Sequence, residues 1–354
     1  MVADTYKNLS IKSGERSSRG SSSKVIITSA KAKLLPDFNR FMTNGENKTR
    51  LIELFSEELR KNSSKCLQIL KGSIIYISQE NITYQITENG VEVAKELSSD
   101  QEEADTKLIL HCLHAMNSME KVVLRSPSGD TDILVLALAS LERDTVYLDY
   151  GNGKARRGIW LHQFRLNQTT TKALIGFHAY TGNDYVSSFF KKGKAVCWKQ
   201  MMKNPKFINA FGRLGQAWNL SDDRSLFQHL EEFTCSLYNV KREESVNIAR
   251  QKLFEIKFSK QGKLVDLALL PPCQSVLYLH CKRANYVAKL WRLSLESRVE
   301  PVLITQHGWQ DDAFPQWVED VFPEDVSELL LEESFPDQPN IYIEDDDYIS
   351  EDDE

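Results

Sequence analysis

Residues 126–138, SPSGDTDILVLAL, follow the short apolar run Val122-Val123-Leu124. The apolar run reads as a buried strand, and Pro127 and Gly129 end it in a turn. The turn delivers Asp130 and Asp132, one residue apart, to the carboxyl end of that strand, where open α/β sheets place their ligands. Residues 133–138 are all apolar, so both acids sit at the lip of a core. Carboxylates so placed repel each other and lose hydration unless a positive charge compensates. A hard divalent cation, which prefers oxygen ligands, is the natural compensator. Asp-x-Asp is also an ordinary turn or cap pattern, so the surrounding sequence has to decide.

Upstream, residues 99–116 (SDQEEADTKLILHCLHAM) have helical spacing, with Leu108, Ile109, Cys112, Ala115 and Met116 as the apolar stripe. Ser99 with Glu102 three residues on predicts a capping box that starts the helix. Asp105 falls on the apolar side of the first turn, with Glu102 beside it and Glu103 further round. The helix macrodipole favours an acid there by only about 0.3–1 kcal/mol. A cation shared with Asp130 and Asp132 is the stronger reason. His111 and His114 have no third candidate ligand for zinc and read as helix-face residues. Downstream, Thr181-Gly182-Asn183-Asp184-Tyr185 puts an acid on a loop, and Lys191-Lys192-Gly193-Lys194 opens a helix that continues to Lys199. Lysines and free N–H groups pointing one way make a grip for a phosphate backbone; the alternative is a solvated turn.

The 354 residues are 41% hydrophobic and 10% aromatic, normal for a packed protein. No run approaches the roughly 18 uncharged apolar residues of a membrane span, and the first residues lack an apolar signal-peptide core. An intracellular protein, nuclear or cytoplasmic and not secreted, is expected. Six cysteines, at 66, 112, 197, 235, 273 and 281, show no CxxC spacing and read as buried thiols of a reducing compartment. The net charge of −6 misleads: residues 332–354 hold eleven acids and no Lys or Arg, so the body carries +5, eleven units higher. That tail is predicted to be disordered. Residues 1–24, with Lys7, Lys12, Arg16, Arg19 and Lys24 among serines and glycines, read as a flexible basic arm, or as a segment that orders on nucleic acid.

A short strand is predicted at 25–27, a helix at 48–60, and strands at 73–78, 81–86 and 145–150. A basic hairpin follows around Arg156-Arg157, and then a helix at 169–177. From about Gly215 the pattern turns helical, at 225–238, 243–258 and 275–293. Trp309 and Trp317 with Pro315 look like a docking segment, mainly core. The expectation is an α/β domain over 1–212, a mainly helical module over 213–331 and the acidic tail over 332–354.

In order and context, Glu103-Ala104-Asp105, Asp130-Thr131-Asp132 and Thr181-Gly182-Asn183-Asp184 resemble the PIN-like nucleases of the flap-endonuclease class. A closer resemblance, over nearly the whole chain, is to uncharacterised, transposon-associated invertebrate proteins with EEADT, SP(SG)DTD and TGxD blocks. It extends to SIKSGER (10–16), ENKTRL (46–51), LPPC (270–273) and HCKRANYVAKLW (280–291). The resemblance implies a PIN-like three-layer domain with a mostly parallel sheet. It makes Glu103, Asp105, Asp130, Asp132 and Asp184 a metal cluster, with Asp4 as its first acid and Asp105, Asp130, Asp132 and Asp184 in the catalytic role. Only Met1-Val2-Ala3 precede Asp4, so the opening strand of such domains is expected to be absent or severely shortened. Asn183 stands where the usual cysteine would.

Such a ring can hold two Mg²⁺ or Mn²⁺ ions about 3.5–4 Å apart. Lys191, Lys192, Lys194 and Lys199 would hold a DNA or RNA phosphate backbone. With no base-reading motif visible, shape or ends would be recognised rather than sequence. The expected function is a metal-dependent, structure-guided endo- or exonuclease. The alternative is a catalytically decayed PIN-like scaffold, derived from a mobile element, that binds nucleic acid or protein. A Mg²⁺-dependent phosphatase or nucleotidyl enzyme ranks third, because no glycine loop could cradle a nucleotide.

Overall fold

The computed structural model describes residues 1–7, 10–12, 22–27, 29, 32–33, 37–61, 72–240, 243–258, 266–300, 302–310 and 316–317. The acidic tail at 332–354, residues 13–21 of the basic arm, and Pro315 lie outside them. The elements are α1 (Phe38–Phe41), α2 (Gly45–Lys61), β1 (Ile75–Gln79), β2 (Ile82–Thr87), β3 (Gly90–Val93), α3 (Ala104–Met116), β4 (Val122–Ser126), α4 (Thr131–Ser140), β5 (Val146–Tyr150) and β6 (Arg157–Trp160). There follow α5 (Gln168–Tyr180), α6 (Lys194–Met201), α7 (Pro205–Arg213), α8 (Arg224–Leu237), α9 (Val246–Phe258), α10 (Gln274–Arg292), β7 (Trp309–Gln310) and β8 (Gln316–Trp317).

The fold is α/β, but its sheets are small. β4 and β5 run parallel, in register from Val122 opposite Val146 to Ser126 opposite Tyr150. β6 returns antiparallel to β5, and β1-β2-β3 form a separate antiparallel meander. The expected mostly parallel sheet is therefore corrected: among the described residues, β4 and β5 are the one parallel pair. Parallel neighbours need a crossover, and α4 supplies it between β4 and β5, whereas β1-β2, β2-β3 and β5-β6 are antiparallel neighbours joined without an intervening α-helix. The strand expected at 25–27 does not form. Val25 instead donates to Asn47 Oδ1 at 2.8 Å, and Ile27 packs with Phe41 and Leu54.

The central layers follow from composition. In α4, TDILVLALAS, the side chains of Ile133, Val135, Leu136, Ala137 and Leu138 are all buried. A helix apolar on every side must be covered on every side, and α3 and α5 flank it. One hydrophobic cluster continues from β4, β5 and α4 through α5, α7 and α8 to α10 and Trp309. It therefore runs on both sides of residue 212. The Arg292 guanidinium, at the end of α10, donates to the carbonyls of Leu214 and Gly212 at 2.9 and 3.1 Å and so holds the end of α7.

The contact between α5 and α7 is close because position 176 is glycine. A Cβ there would stand 2.2 Å from the Phe211 carbonyl oxygen. Backbone on a packed helix cannot retreat cheaply, so Gly176→Ala is expected to destabilise the protein by about 1–3 kcal/mol. Urea denaturation would measure it, and an unchanged midpoint would refute the tight crossing.

Candidate metal centre

Two helix N-termini bring the acids together. After β4, Gly129 adopts φ +73°, and its N–H donates to Ser126 O at 3.2 Å. Asp130 then becomes the N-cap of α4, its Oδ1 accepting the Asp132 N–H at 2.9 Å. Asp132 sits in the first turn of α4, and Asp105 in the first turn of α3. Both positions lie at the positive end of a helix dipole, which stabilises anions. Asp105, Asp130 and Asp132 each offer an oxygen, and these oxygens lie within 4.8 Å of one another.

Burial and mutual repulsion make this cluster costly when all three are charged. Desolvation raises the Asp105 carboxyl to about 7, with the charges of Asp130 and Glu103 adding to it and Lys12 working the other way. Asp130 is also raised, chiefly by desolvation, with contributions from Asp132 and Asp184. Three hard oxygen donors lacking a full counter-charge are the donor set that Mg²⁺ or Mn²⁺ takes, so the residues present fit such an ion.

The remaining expected ligands sit around this trio, and each has another engagement. Glu103, the N-cap residue of α3, accepts from the Tyr185 hydroxyl and from Trp291 Nε1, the latter at 3.1 Å. Asp4 Oδ1 accepts the Ala104 N–H at 2.8 Å and pairs with Lys12 Nζ at 3.0 Å. Asp4 therefore caps α3 from a hundred residues away. The opening segment forms no assigned strand, yet Met1 exchanges backbone hydrogen bonds with Tyr76 and Ser78 of β1. Asp184 is exposed, in a turn held by the Asn183 N–H to Val186 O and by the Tyr185 N–H to Asn183 Oδ1. It reaches the trio through its charge on Asp130.

The capping box expected from Ser99 and Glu102 does not form. α3 starts at Ala104, Ser99 Oγ accepts from the Gln101 N–H at 3.1 Å, and Glu102 accepts from Ser10 Oγ at 2.8 Å. A long-range cap from Asp4 replaced a local one. His111 and His114 meet β1 instead of a metal: His111 Nε2 lies 2.9 Å from Ser78 Oγ, and His114 Nε2 lies 3.3 Å from the Tyr76 hydroxyl.

Of the four lysines, Lys194 is the one whose ammonium turns inward. It donates to Gly182 O at 2.6 Å and to His178 O and Thr181 Oγ1 at 3.1 Å, and desolvation lowers its pKa to about 8. Lys194 thus braces the loop that carries Asp184. Lys191 and Lys199 are exposed and Lys192 is half-buried. Lys191 and Lys192 extend over the rings of Phe190 and Tyr238.

Sequence reasoning missed His178. Its Nε2 lies 2.7 Å from Asp132 Oδ1, and its ring, 4% exposed, stacks on Trp291 at 5.5 Å. The available signal was a histidine inside the apolar stretch 173–180. Comparison of the chain with protein-family models, curated proteins and solved structures gave no match.

Proposed function

We propose that the chain is a PIN-like nuclease, a Mg²⁺- or Mn²⁺-dependent phosphodiesterase acting on DNA or RNA. The observation that carries this reading is the convergence of Asp105, Asp130 and Asp132 at two helix N-termini. When bound there, divalent ions polarise a phosphoryl oxygen and lower the pKa of a water. The chain's own residues supply the setting. Asp105 provides the most buried charge, Asp130 and Asp132 the solvent-facing edge, and His178 fixes the Asp132 carboxylate in one orientation. Asp184 adds a further negative charge beside Asp130, and Lys194 holds its loop in place. Lys191, Lys192 and Lys199 hold the phosphate backbone by charge alone, so affinity falls as salt rises.

A second reading, a scaffold that binds nucleic acid without turnover, draws on the occupied state of Glu103 and Asp4. Each already has protein partners that a ligand to metal would have to give up or share.

Fluorescent single-stranded, flap and hairpin substrates, incubated with Mg²⁺ or Mn²⁺, separate the two. Metal-dependent cutting by the native chain, lost in Asp130→Asn/Asp132→Asn, is the expected result. Binding without cutting by both proteins would leave the scaffold.

A further inference from the structure

Parallel strands are normally covered on both faces, but the sheet β4-β5-β6 has one open face. Leu124 and Ser126 of β4 and Val146 and Leu148 of β5 are buried on its inner side. The outer side carries the alternating residues: Val123, 63% exposed, and Arg125 from β4, and Tyr147 and Asp149 from β5. β6 completes it, with Gly158 opposite Asp149 and Trp160 opposite Tyr147. Glycine at 158 leaves room for the Tyr147 hydroxyl, which a Cβ there would meet. The half-buried Tyr147 ring thus lies across to β6 and, with Val123, floors a shallow concavity.

Charge is sorted along this face. Asp149 pairs with Arg156 at 2.8 Å and with Arg125 at 3.4 Å, so two guanidiniums stand against its single charge. Lys154 and Arg157 are exposed and have no acidic partner among the described residues. Arg157 lies opposite Tyr150, the last residue of β5, and Lys154 is in the loop beyond it. Glu120 and Asp144 precede β4 and β5 and so lie at the other end of the sheet. The cationic end adjoins the carboxylates. The Gly151 N–H donates to Ser126 O at 2.9 Å, and a Cβ on Gly129, the residue before Asp130, would stand 3.8 Å from Gly151 Cα. Arg125 donates to Gly151 O at 2.8 Å and so fixes this junction.

The occupant follows from what adjoins what. An acidic peptide would answer the cations but bring more carboxylates towards Asp130. A phosphodiester strand answers them with phosphates. A duplex keeps its bases stacked inside and would leave Val123 and Tyr147 bare, whereas an unpaired strand can lay a base on them.

We infer that the outer face of β4-β5-β6, with Lys154 and Arg157 of its hairpin, binds an unpaired nucleic-acid strand beside the scissile phosphate. The inference rests on the nuclease reading for where that phosphate lies, but binding to this face requires no metal.

The test is metal-free titration of the full chain with short fluorescein-labelled oligothymidylate and oligouridylate, read by anisotropy from low to physiological salt. Lys154→Gln/Arg157→Gln should weaken binding about tenfold at low salt and flatten the slope of log affinity against log salt by about 1.4, two single-strand phosphate contacts. Arg156 is left intact because it neutralises Asp149. Val123→Asp, at an exposed position, should weaken binding by a similar factor. Lys95→Gln/Lys172→Gln, which removes the same charge from exposed positions elsewhere, should change it less than about twofold. Circular dichroism would show that each variant is folded. The inference is overturned if neither oligonucleotide binds, if Lys154→Gln/Arg157→Gln binds with native affinity and slope, or if the control pair weakens binding as much. Tighter binding of a hairpin duplex, or of polyglutamate, would overturn the choice of occupant. A chain that binds strands through Lys154 and Arg157 but cuts nothing with Mn²⁺ keeps the surface and loses the nuclease. A chain that cuts, with Lys154→Gln/Arg157→Gln binding and cutting equally well, does the reverse.

Discussion

Asp105→Asn will make the metal-free protein more stable at pH 8, by about 1–3 kcal/mol, and will abolish its stabilisation by Mn²⁺. The carboxyl titrates near 7 in the fold, against an ordinary value of 3.8. The folded state therefore binds the extra proton between those limits. The stability that protonation lends is fully present below about pH 4 and is lost as pH rises through 7. Above that, the native chain holds a desolvated charge beside Asp130, Glu103 and Asp132, which asparagine does not carry. The shift of about three units corresponds to about 4 kcal/mol, reduced here because the cluster is partly open to solvent. Mn²⁺ at a hundred times its Kd should stabilise the native chain by about 2.7 kcal/mol, and the variant hardly at all. Thermal unfolding at pH 8 with and without Mn²⁺ measures both quantities. A variant that is less stable without metal, or equally responsive to Mn²⁺, would mean that Asp105 is not held charged in a cation site.

The features legible in the sequence were those that depend on local pattern. Helical spacing placed α2, α8, α9 and α10 to within three residues, and the end of α3 but not its start, which came five residues later than Ser99. The Ser-Pro-Ser-Gly turn between β4 and Asp130 followed from the glycine that its positive φ requires. The convergence of Asp105, Asp130 and Asp132 was inferred from their order, one helix and one strand end apart. Less legible were features decided by distant chain. Nothing near residue 99 announced that Asp4 would cap α3, leaving Ser99 and Glu102 to other partners. Lys194 looked like its neighbours Lys191 and Lys192. The carbonyls of His178 and Gly182 and the Thr181 hydroxyl, brought beside it by the end of α5, turn its ammonium inward. Strand pairing was misjudged for a related reason. The residues of β4 and β5 read as buried strands, but pattern alone does not say how many parallel partners a sheet will find.

Two other histidines give the second large effect, with the opposite sign. His111, against Ser78 and near the charges of the chain's amino terminus, His114 and Lys107, is lowered to about 4, chiefly by desolvation. His280 is lowered to about 4 for the same reason, its ring enclosed by Tyr180 and Phe189 and 2.9 Å from Tyr180 O. Both are neutral in the fold and ordinary, near 6.5, once unfolded. Between pH 6.5 and 4 the unfolded chain therefore binds more protons, and stability falls as pH falls through that window. Each shift corresponds to about 3 kcal/mol, so the pair together should cost about 4–6 kcal/mol on acidification from pH 7 to 4. In the native chain Asp105 offsets part of this, because its protonation stabilises the fold over the same range. The Asp105→Asn background removes that offset and exposes the histidine effect. There, urea denaturation at pH 7, 5.5 and 4 should show the full decline, and His280→Gln should roughly halve it whatever the substitution itself costs at pH 7. A decline unchanged by either His280→Gln or His111→Gln would mean that the acid sensitivity arises elsewhere. It would also mean that these rings find solvent enough to charge within the fold.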